Sequence, residues 1–592
     1  MTDPLHRMVG GADLFISGEV QFWRMDPASW NATLSTVKAL GIDHVASYLS
    51  WRRHEPTPGT ADLKGRHGAE LDVHRFLDLC SKHELSVQLK PGPWICAEEP
   101  GGGLPDWVLA DEESIALDHA GRMVSGYNPP FKHPMPSYAS SSFRRSVAGW
   151  IDTVWSDLGE FIGEGGPLVA TQLDNEPSLG FQDSMYGFDY HPESLDAFRN
   201  FVIDRHGSLA TVAKAWGCSL MSVNAIVPPR PSEVRPSSVL LTVRERDWID
   251  YQEHYIADYL NWLQQLNRGT RAESLVDFVN LNTHPVRGMP QSGGIIASVL
   301  TPPVVVGEDH YFEPPIAQSD IAGLALAAAQ GIASGTSLVW APEVQSGIWR
   351  SPNEVVGYPD PTDDELASWW GCTLAMGYQG FNLYMLVDRV NWEFAPVSPT
   401  GDRRPLAQAL ERMMRVIRAV PELAAYRPVP QFGLIWDSGI RAQSYRVAGT
   451  QSLTLTDWND PEAHAGYEAS VQAAAILTAR GFHYSLVTPP ERTSMPVVVT
   501  SAGIDSFGLQ PLVNSSDPGI ITRLHRNPQG NEVIYLVPWS RNVIQSSVQL
   551  RLADTSIRAL REVTKGSEWG LEDGQVTINQ VEAGLNLYRV LR

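Results

Sequence analysis

Over its first 400 residues the chain alternates short apolar runs with longer amphipathic stretches, and this alternation most limits what it can fold into. A run of about four to eight apolar residues suits a strand buried on both faces. A longer stretch with apolar positions three and four apart suits a helix lying across such strands. The pattern predicts strands at Glu19–Trp23, Ile42–Tyr48, Leu85–Lys90, Leu168–Leu173, Leu275–Asn280, Val304–Gly307, Ser337–Trp340 and Gly380–Tyr384. Between them it predicts a helix starting near Pro27 and others over Asp72–His83, Phe143–Phe161, Asp196–Arg205, Arg246–Gln265, Ile321–Ala333 and Asp364–Met376. Eight strands alternating with helices close most simply into a (β/α)8 barrel.

The barrel is expected to occupy residues 1–420, with an insertion at about 178–238 that carries its own helix and the Pro-rich stretch IVPPRPSEVRPSS. Breaks fall at Ala395–Pro405 and at Tyr426–Pro430 (YRPVP), after which the pattern restarts. Phe432–Trp436, a helix over Tyr467–Arg480 stopped by Gly481, and strands at Tyr484–Val487 and Val497–Thr500 predict a small α/β domain over residues 421–510. Residues 511–592 read as a β-sandwich-like domain. There Ile520–His525 and Glu532–Pro538 flank a hairpin turn at Asn527–Asn531, and further strands fall near Gln575–Ile578 and Leu585–Leu591.

Composition narrows the function by exclusion. The net charge is −22 and the cations form no stripe, so a phosphate backbone has nothing to dock on and nucleic acid is not an expected partner. No run of about 18 apolar residues exists, so no membrane span is expected. The start, MTDPLHRMVGGADLF, does not read as a signal peptide. Cys80, Cys96, Cys218 and Cys372 form no CxxC pair, which argues against structural zinc and for a reducing, cytoplasmic setting. No metal or organic cofactor is called for. The 19 tryptophans suit stacking on the C–H faces of sugars, although most of them also suit a core.

A barrel places its chemistry at the C-terminal ends of the strands. Cleaving a glycosidic bond there takes two carboxyls, one to protonate the leaving oxygen and one to attack or stabilise the anomeric carbon. LVATQL is followed by DNEP, which sets Glu176 just past a strand end with Asn175 beside it. SLVW is followed by Glu343 in APEVQSGIW, with Trp349 close behind. Read alone, Asn-Glu-Pro equally suits a turn, and Glu343 a surface loop. Glu308, Asp309, Glu98 and Glu99 are competing acids at other strand exits. KPGPWICAEEPGGGLPDWVL (Lys90–Leu109) adds aromatics, two acids and a glycine run that lets backbone approach a ligand. SYLSWRRHEP (Ser47–Pro56) adds Tyr48, Trp51, His54 and Glu55.

Taken together, SGEVQFWRMDPASW, YLSWRRHEP, PGPWICAEEPGGGLPDW and TQLDNEP resemble clan A glycoside hydrolases, most closely the family-35 β-galactosidases. LDAFRNFVIDRHGSLATVAKAWG and EVQSGIW resemble family 42. The resemblance covers roughly residues 10–405, and more weakly the C-terminal domains. It implies a retaining exo-acting β-glycosidase working by double displacement on an oligosaccharide or glycoside. In that scheme Glu176 is the acid/base and Glu343 the nucleophile. It further implies sugar-binding roles for Tyr48, Ala97, Glu98 and Asn175, and an arginine near the nucleophile at Arg24. It implies a role in orienting the nucleophile for Tyr311, with His310 as its rival, places Asn382 and Trp392 at the pocket wall, and lets Trp349 supply an acceptor site. A homo-oligomer, dimer or trimer, built through the C-terminal domains is implied as well.

Three positions depart from the family-35 pattern: Arg52 where Asn is usual, Glu99 where Trp is usual, and Pro177 where Tyr is usual. They leave the sugar open. A transglycosidase acting on β-glucosides, or a glucosaminide-type exo-glycosidase with the same pair, is the alternative reading.

Overall fold

The computed structural model describes residues 13–96, 99–126, 133–179, 186–230, 233, 242–281, 300, 304–336, 338–350, 359–436, 461–487, 495–498, 504–540, 547–579 and 581–592. Eight parallel strands close into a barrel: β1 (Phe15–Glu19), β2 (His44–Tyr48), β3 (Ser86–Lys90), β4 (Leu168–Gln172), β5 (Val276–Leu281), β6 (Val304–Glu308), β7 (Trp340–Gln345) and β8 (Gly380–Tyr384). Each pairs with the next in sequence, and β8 returns to β1 through Phe15 opposite Gly380 and Ser17 opposite Asn382.

The surrounding helices bury one face on the strands, and their ends are set by local chemistry. Asp72 caps Val73–Lys82 by accepting from the Arg75 N–H. Reciprocal capping boxes start Val243–Arg268 (Thr242 with Glu245) and Asp363–Ala375 (Thr362 with Glu365). Gly207, left-handed at φ 86°, ends Pro192–His206, a helix within the predicted insertion.

Two predicted strands sit elsewhere along the chain. The first runs over Phe15–Glu19, not Glu19–Trp23. Residues Phe22–Arg24 form a short helical turn instead, with Phe22 stacked on Phe76 at 4.5 Å and edge-on to Trp30. That apolar run serves the helix layer outside the barrel, which periodicity cannot distinguish from a strand. The seventh strand is Trp340–Gln345 rather than Ser337–Trp340, so Glu343 lies on the strand itself. Polar Glu343 and Gln345 interrupt its apolar run where the strand's end reaches the site.

After the barrel, Phe432–Ile435 is flanked by Tyr484–Val487 and Val497–Val498 in a three-stranded parallel sheet, with the helix Pro461–Ala479 beside it. The C-terminal part has a six-stranded sheet and a three-stranded sheet that share an apolar core containing Ile534, Leu536, Leu550 and Ile578. The predicted hairpin pairs Ile520–Arg526 with Glu532–Pro538. Within the stretch read as a linker, Arg427–Pro428 joins the edge of the six-stranded sheet.

Candidate active site

The barrel interior changes character along its axis. Phe15, Phe278 and Trp340 fill one end, with ring centroids 5.0–6.0 Å apart. Two residues further along β1, the Ser17 hydroxyl donates to Oδ1 of Asn382 at 2.8 Å. Two further still, Glu19 takes Lys90 Nζ at 2.8 Å and Asn382 Nδ2 at 3.0 Å. The apolar plug therefore gives way, at the C-terminal end of the strands, to a buried charged layer that carries the site.

Glu343 stands on β7 above this layer and is buried. The hydroxyl of Tyr48, at the end of β2, lies 2.6 Å from its Oε1 and 2.5 Å from Oδ1 of Asn175. With one proton to give, Tyr48 serves one of the two at a time. Asn280 Nδ2, from β5, is 3.4 Å from the same Glu343 oxygen and 2.8 Å from Asn175 Oδ1. The Tyr311 hydroxyl donates to the other carboxyl oxygen of Glu343. Burial raises the Glu343 carboxyl, and neighbouring Glu176 adds to the rise, while Lys90 and the Tyr311 and Tyr48 hydroxyls oppose it. Three strand ends and the loop after β6 thus converge on one carboxylate.

Glu176 sits in the tight loop after β4. Asp174 and Glu176 both adopt left-handed backbone, at φ 59° and 44°, a costly conformation for non-glycine residues that needs support from its surroundings. That support is visible at Asp174, which accepts from the Trp94 N–H at 2.9 Å and the Tyr259 hydroxyl at 2.9 Å. Burial pushes Asp174 up to about 7, against these hydrogen bonds. Asn175 Oδ1 also accepts from Gln172 Nε2 at 3.0 Å. Its Nδ2 lies 3.3 Å from the Ile95 carbonyl and 3.4 Å from Oε2 of Glu176. Glu176 and Glu343 come from opposite parts of the chain and feel each other's charge across the pocket.

The other expected residues divide. Trp392 and Tyr384 pack edge to face at 5.1 Å, and Tyr311 meets Trp392 at 6.2 Å, which forms an aromatic wall beside Glu343. Tyr311 is 42% exposed, so its ring is open at the mouth while its hydroxyl reaches the carboxylate. Trp349 pairs through its backbone with Trp392 in a two-stranded ribbon at the same side. Of the two rivals for orienting Glu343, Tyr311 makes the contact, whereas Nε2 of His310 meets the Tyr378 hydroxyl at 2.5 Å. Asn382 is fully buried, its amide taken by Ser17 and Glu19 below the carboxylates rather than on the pocket wall. Ala97 and Glu98 lie outside the described residues.

Arg24 turns to Glu99, 3.1 Å away, and Arg53 grips the same carboxylate at 2.7 Å. Both guanidiniums also lie over the Trp23 ring, at 4.3 and 4.9 Å. The unusual Glu99 is thus the anion of a two-arginine cluster. Arg52, the second departure, forks onto Asp106 at 2.6 and 2.8 Å toward solvent. His54 is structural: it is buried, its Nδ1 meets the Ser50 carbonyl at 2.8 Å, and burial lowers it to about 4. The sequence reading did not single out Lys90 or Asn280 as site residues. Both sit at strand ends as polar residues in runs read only as strands, and that position was the available signal.

Residues 8–219 match the model of Glycosyl hydrolases family 35. Beta-1,2-glucosyltransferase of Ignavibacterium album is 26% identical over 398 residues, which is 65% of this chain and 52% of that one. Exo-beta-D-glucosaminidase of Thermococcus kodakarensis is 24% identical over 257 residues, 42% of this chain and 31% of that one. The chain therefore spans between about a third and about half of the length of these curated relatives. The crystal structure of beta-galactosidase from Bacillus circulans sp. alkalophilus superimposes with a TM-score of 0.70 over 98% of this chain and 99% of that one, at 10% identity. In fold and in N-terminal sequence the chain resembles the clan A glycoside hydrolases of families 35 and 42.

Proposed function

We propose that the protein is a retaining exo-acting β-glycosidase that cleaves a terminal β-linked sugar. The observation that carries this reading is the convergence of two carboxyls at the C-terminal end of the barrel, Glu343 on β7 and Glu176 after β4, linked through the Tyr48 hydroxyl and the Asn175 amide. They are set in different ways. Glu343 is gripped by Tyr48 and Tyr311, which suits a carboxylate nucleophile. Glu176 stands beside Asn175 in a strained loop, which suits a group that gives and takes a proton.

The mechanism follows. Glu176 protonates the glycosidic oxygen as Glu343 attacks the anomeric carbon, and the C–O bond breaks to leave a glycosyl ester on Glu343. Glu176, now ionised, then takes a proton from water, which displaces Glu343 and restores the starting configuration. The exposed Tyr311 ring, backed by the buried Trp392 and Tyr384 rings, offers a face for sugar C–H groups. The similarity to a beta-1,2-glucosyltransferase favours a second outcome of the same chemistry, in which another sugar replaces water as acceptor.

The cytoplasmic setting is part of the proposal, supported by four free cysteines. The test is release of nitrophenol from nitrophenyl β-galactoside, glucoside, glucosaminide, fucoside and arabinoside by wild type, Glu176→Gln and Glu343→Gln. Turnover of one sugar, lost in both variants, is expected. Silence across the panel, with oligosaccharide donors and acceptors also inert, rules the reading out.

A further inference from the structure

The pocket holds a third carboxyl that the double-displacement scheme does not use. Asp309 follows β6, and both of its carboxyl oxygens are buried. Among the described residues no N–H or O–H group donates to either oxygen. What it does meet is another acid, because the Asp309 carboxyl lies within hydrogen-bonding reach of the Glu176 carboxyl. Glu343 stands close enough to add a second negative charge.

The charged and titratable groups facing Asp309 are Glu176 from the β4 loop, Glu343 from β7, Lys90 from β3 and Tyr311 from its own loop. Lys90 is the cation among them, and its ammonium is held 2.8 Å from Glu19. The tyrosine hydroxyls go to Glu343. Two ionised carboxylates in hydrogen-bond contact repel strongly enough that at least one keeps a proton, and the Asp309 carboxyl, buried and reached by no donor among the described residues, is the one that does. The negative charge belongs on Glu343, which takes the Tyr48 and Tyr311 hydroxyls; in the resting enzyme Glu176 carries the acid proton and Asp309 a second one, and once Glu176 has ionised the Asp309 proton remains between the two.

We propose that Asp309 is a positioning residue that stays protonated through the catalytic cycle and donates a hydrogen bond to the Glu176 carboxyl. The inference rests on the reading of Glu176 as acid/base. When Glu176 gives its proton to the leaving oxygen, the electron pair of the broken C–O bond goes to that oxygen. Glu176 is left as a carboxylate inside the pocket, and the Asp309 O–H adds a donor to it there, beside the Asn175 amide. When water attacks the glycosyl ester, Glu176 takes the water's proton and Asp309 keeps its own. Burial together with the Glu343 and Glu176 charges raises Asp309 well above the ordinary carboxyl range, in agreement with this assignment.

The test compares Asp309→Leu, which removes the donor, with Asp309→Asn, which keeps a neutral N–H donor of nearly the same shape. The reaction is followed as kcat/KM against pH on the glycoside that wild type turns over. Asp309→Leu is expected to lose about 10–100-fold in kcat and to move the basic limb up by about one pH unit, because ionised Glu176 loses the Asp309 donor. Asp309→Asn is expected to recover most of the rate and to restore the wild-type basic limb. An Asn variant whose basic limb falls by a unit or more would show that Asp309 is ionised in the working enzyme, and a Leu variant indistinguishable from wild type would show that it positions nothing. Either overturns the proposal. An infrared measurement at neutral pH separates this from the functional reading. Protonated-carboxyl absorption should be reduced in Asp309→Asn relative to wild type whether or not any glycoside is cleaved, and unchanged absorption overturns the proposal on its own.

Discussion

The Tyr48 hydroxyl stands 2.6 Å from Oε1 of Glu343, although strands β2 and β7 that carry the two residues are not neighbours in the barrel. With Tyr311 on the other oxygen, each side of the carboxylate has a phenol donor. A hydrogen bond to a charged group contributes about 1.5–3 kcal/mol, so Tyr311→Phe should lower kcat/KM by about 10–100-fold. The sign of the pH effect follows from the same contact. The hydroxyls favour ionised Glu343 and hold its raised carboxyl down, so removing one raises it further. The acid limb of kcat/KM should therefore lie above the ordinary Glu value of 4.5 in wild type and move higher in Tyr48→Phe and Tyr311→Phe. A pH profile of the three proteins checks both.

Lys90 and Glu19 form an ion pair with side chains 1% and 0% exposed. Removing one partner strands a buried charge, at a cost of about 3–5 kcal/mol. Lys90→Met should lower the thermal midpoint markedly, and the double variant Glu19→Met, Lys90→Met should recover part of the loss because no lone charge remains. Thermal unfolding of the single and double variants measures this.

Gly102 has φ 64°, and a Cβ there would fall 1.7 Å from Nε1 of Trp94. Trp94 in turn gives its backbone N–H to Asp174, two residues before Glu176. Gly102→Ala should therefore displace the indole, cost about 1–3 kcal/mol of stability and reduce turnover as well. Gly121 is the control, since its φ is also positive (75°) and nothing lies within 4 Å of its Cβ position. Gly121→Ala should show backbone strain without loss of turnover.

Much of this was legible in the sequence because barrel strands are buried on both faces and punctuated by helices. Gly380–Tyr384 and Tyr484–Val487 match their predicted bounds, and Asp72 caps the helix it was read to begin. Glu176 was legible as an acid just past a strand, and Glu343 as an acid beside the seventh strand, which the structure extends through it. What stayed hidden depends on packing across the barrel. Nothing local marks Phe22 as a helix-layer residue, or Val344 as strand when polar Glu343 and Gln345 flank it. Arg24 was assigned near the nucleophile by resemblance, but its carboxylate contact in the structure is Glu99, a residue the family pattern replaces by Trp. Asp309 looked like one more acid after a strand, and its role depends on what donors fail to reach it, which no linear pattern records.

The most direct measurement is to trap the intermediate. The enzyme is incubated with the 2-deoxy-2-fluoro glycosyl fluoride of the sugar it prefers and digested, and the labelled peptide is sequenced by mass spectrometry. A single glycosyl ester on Glu343, with loss of activity in step with labelling, is the expected result. A label on Glu308 or Asp309 instead, or no label while turnover yields a sugar of inverted configuration, would contradict the account.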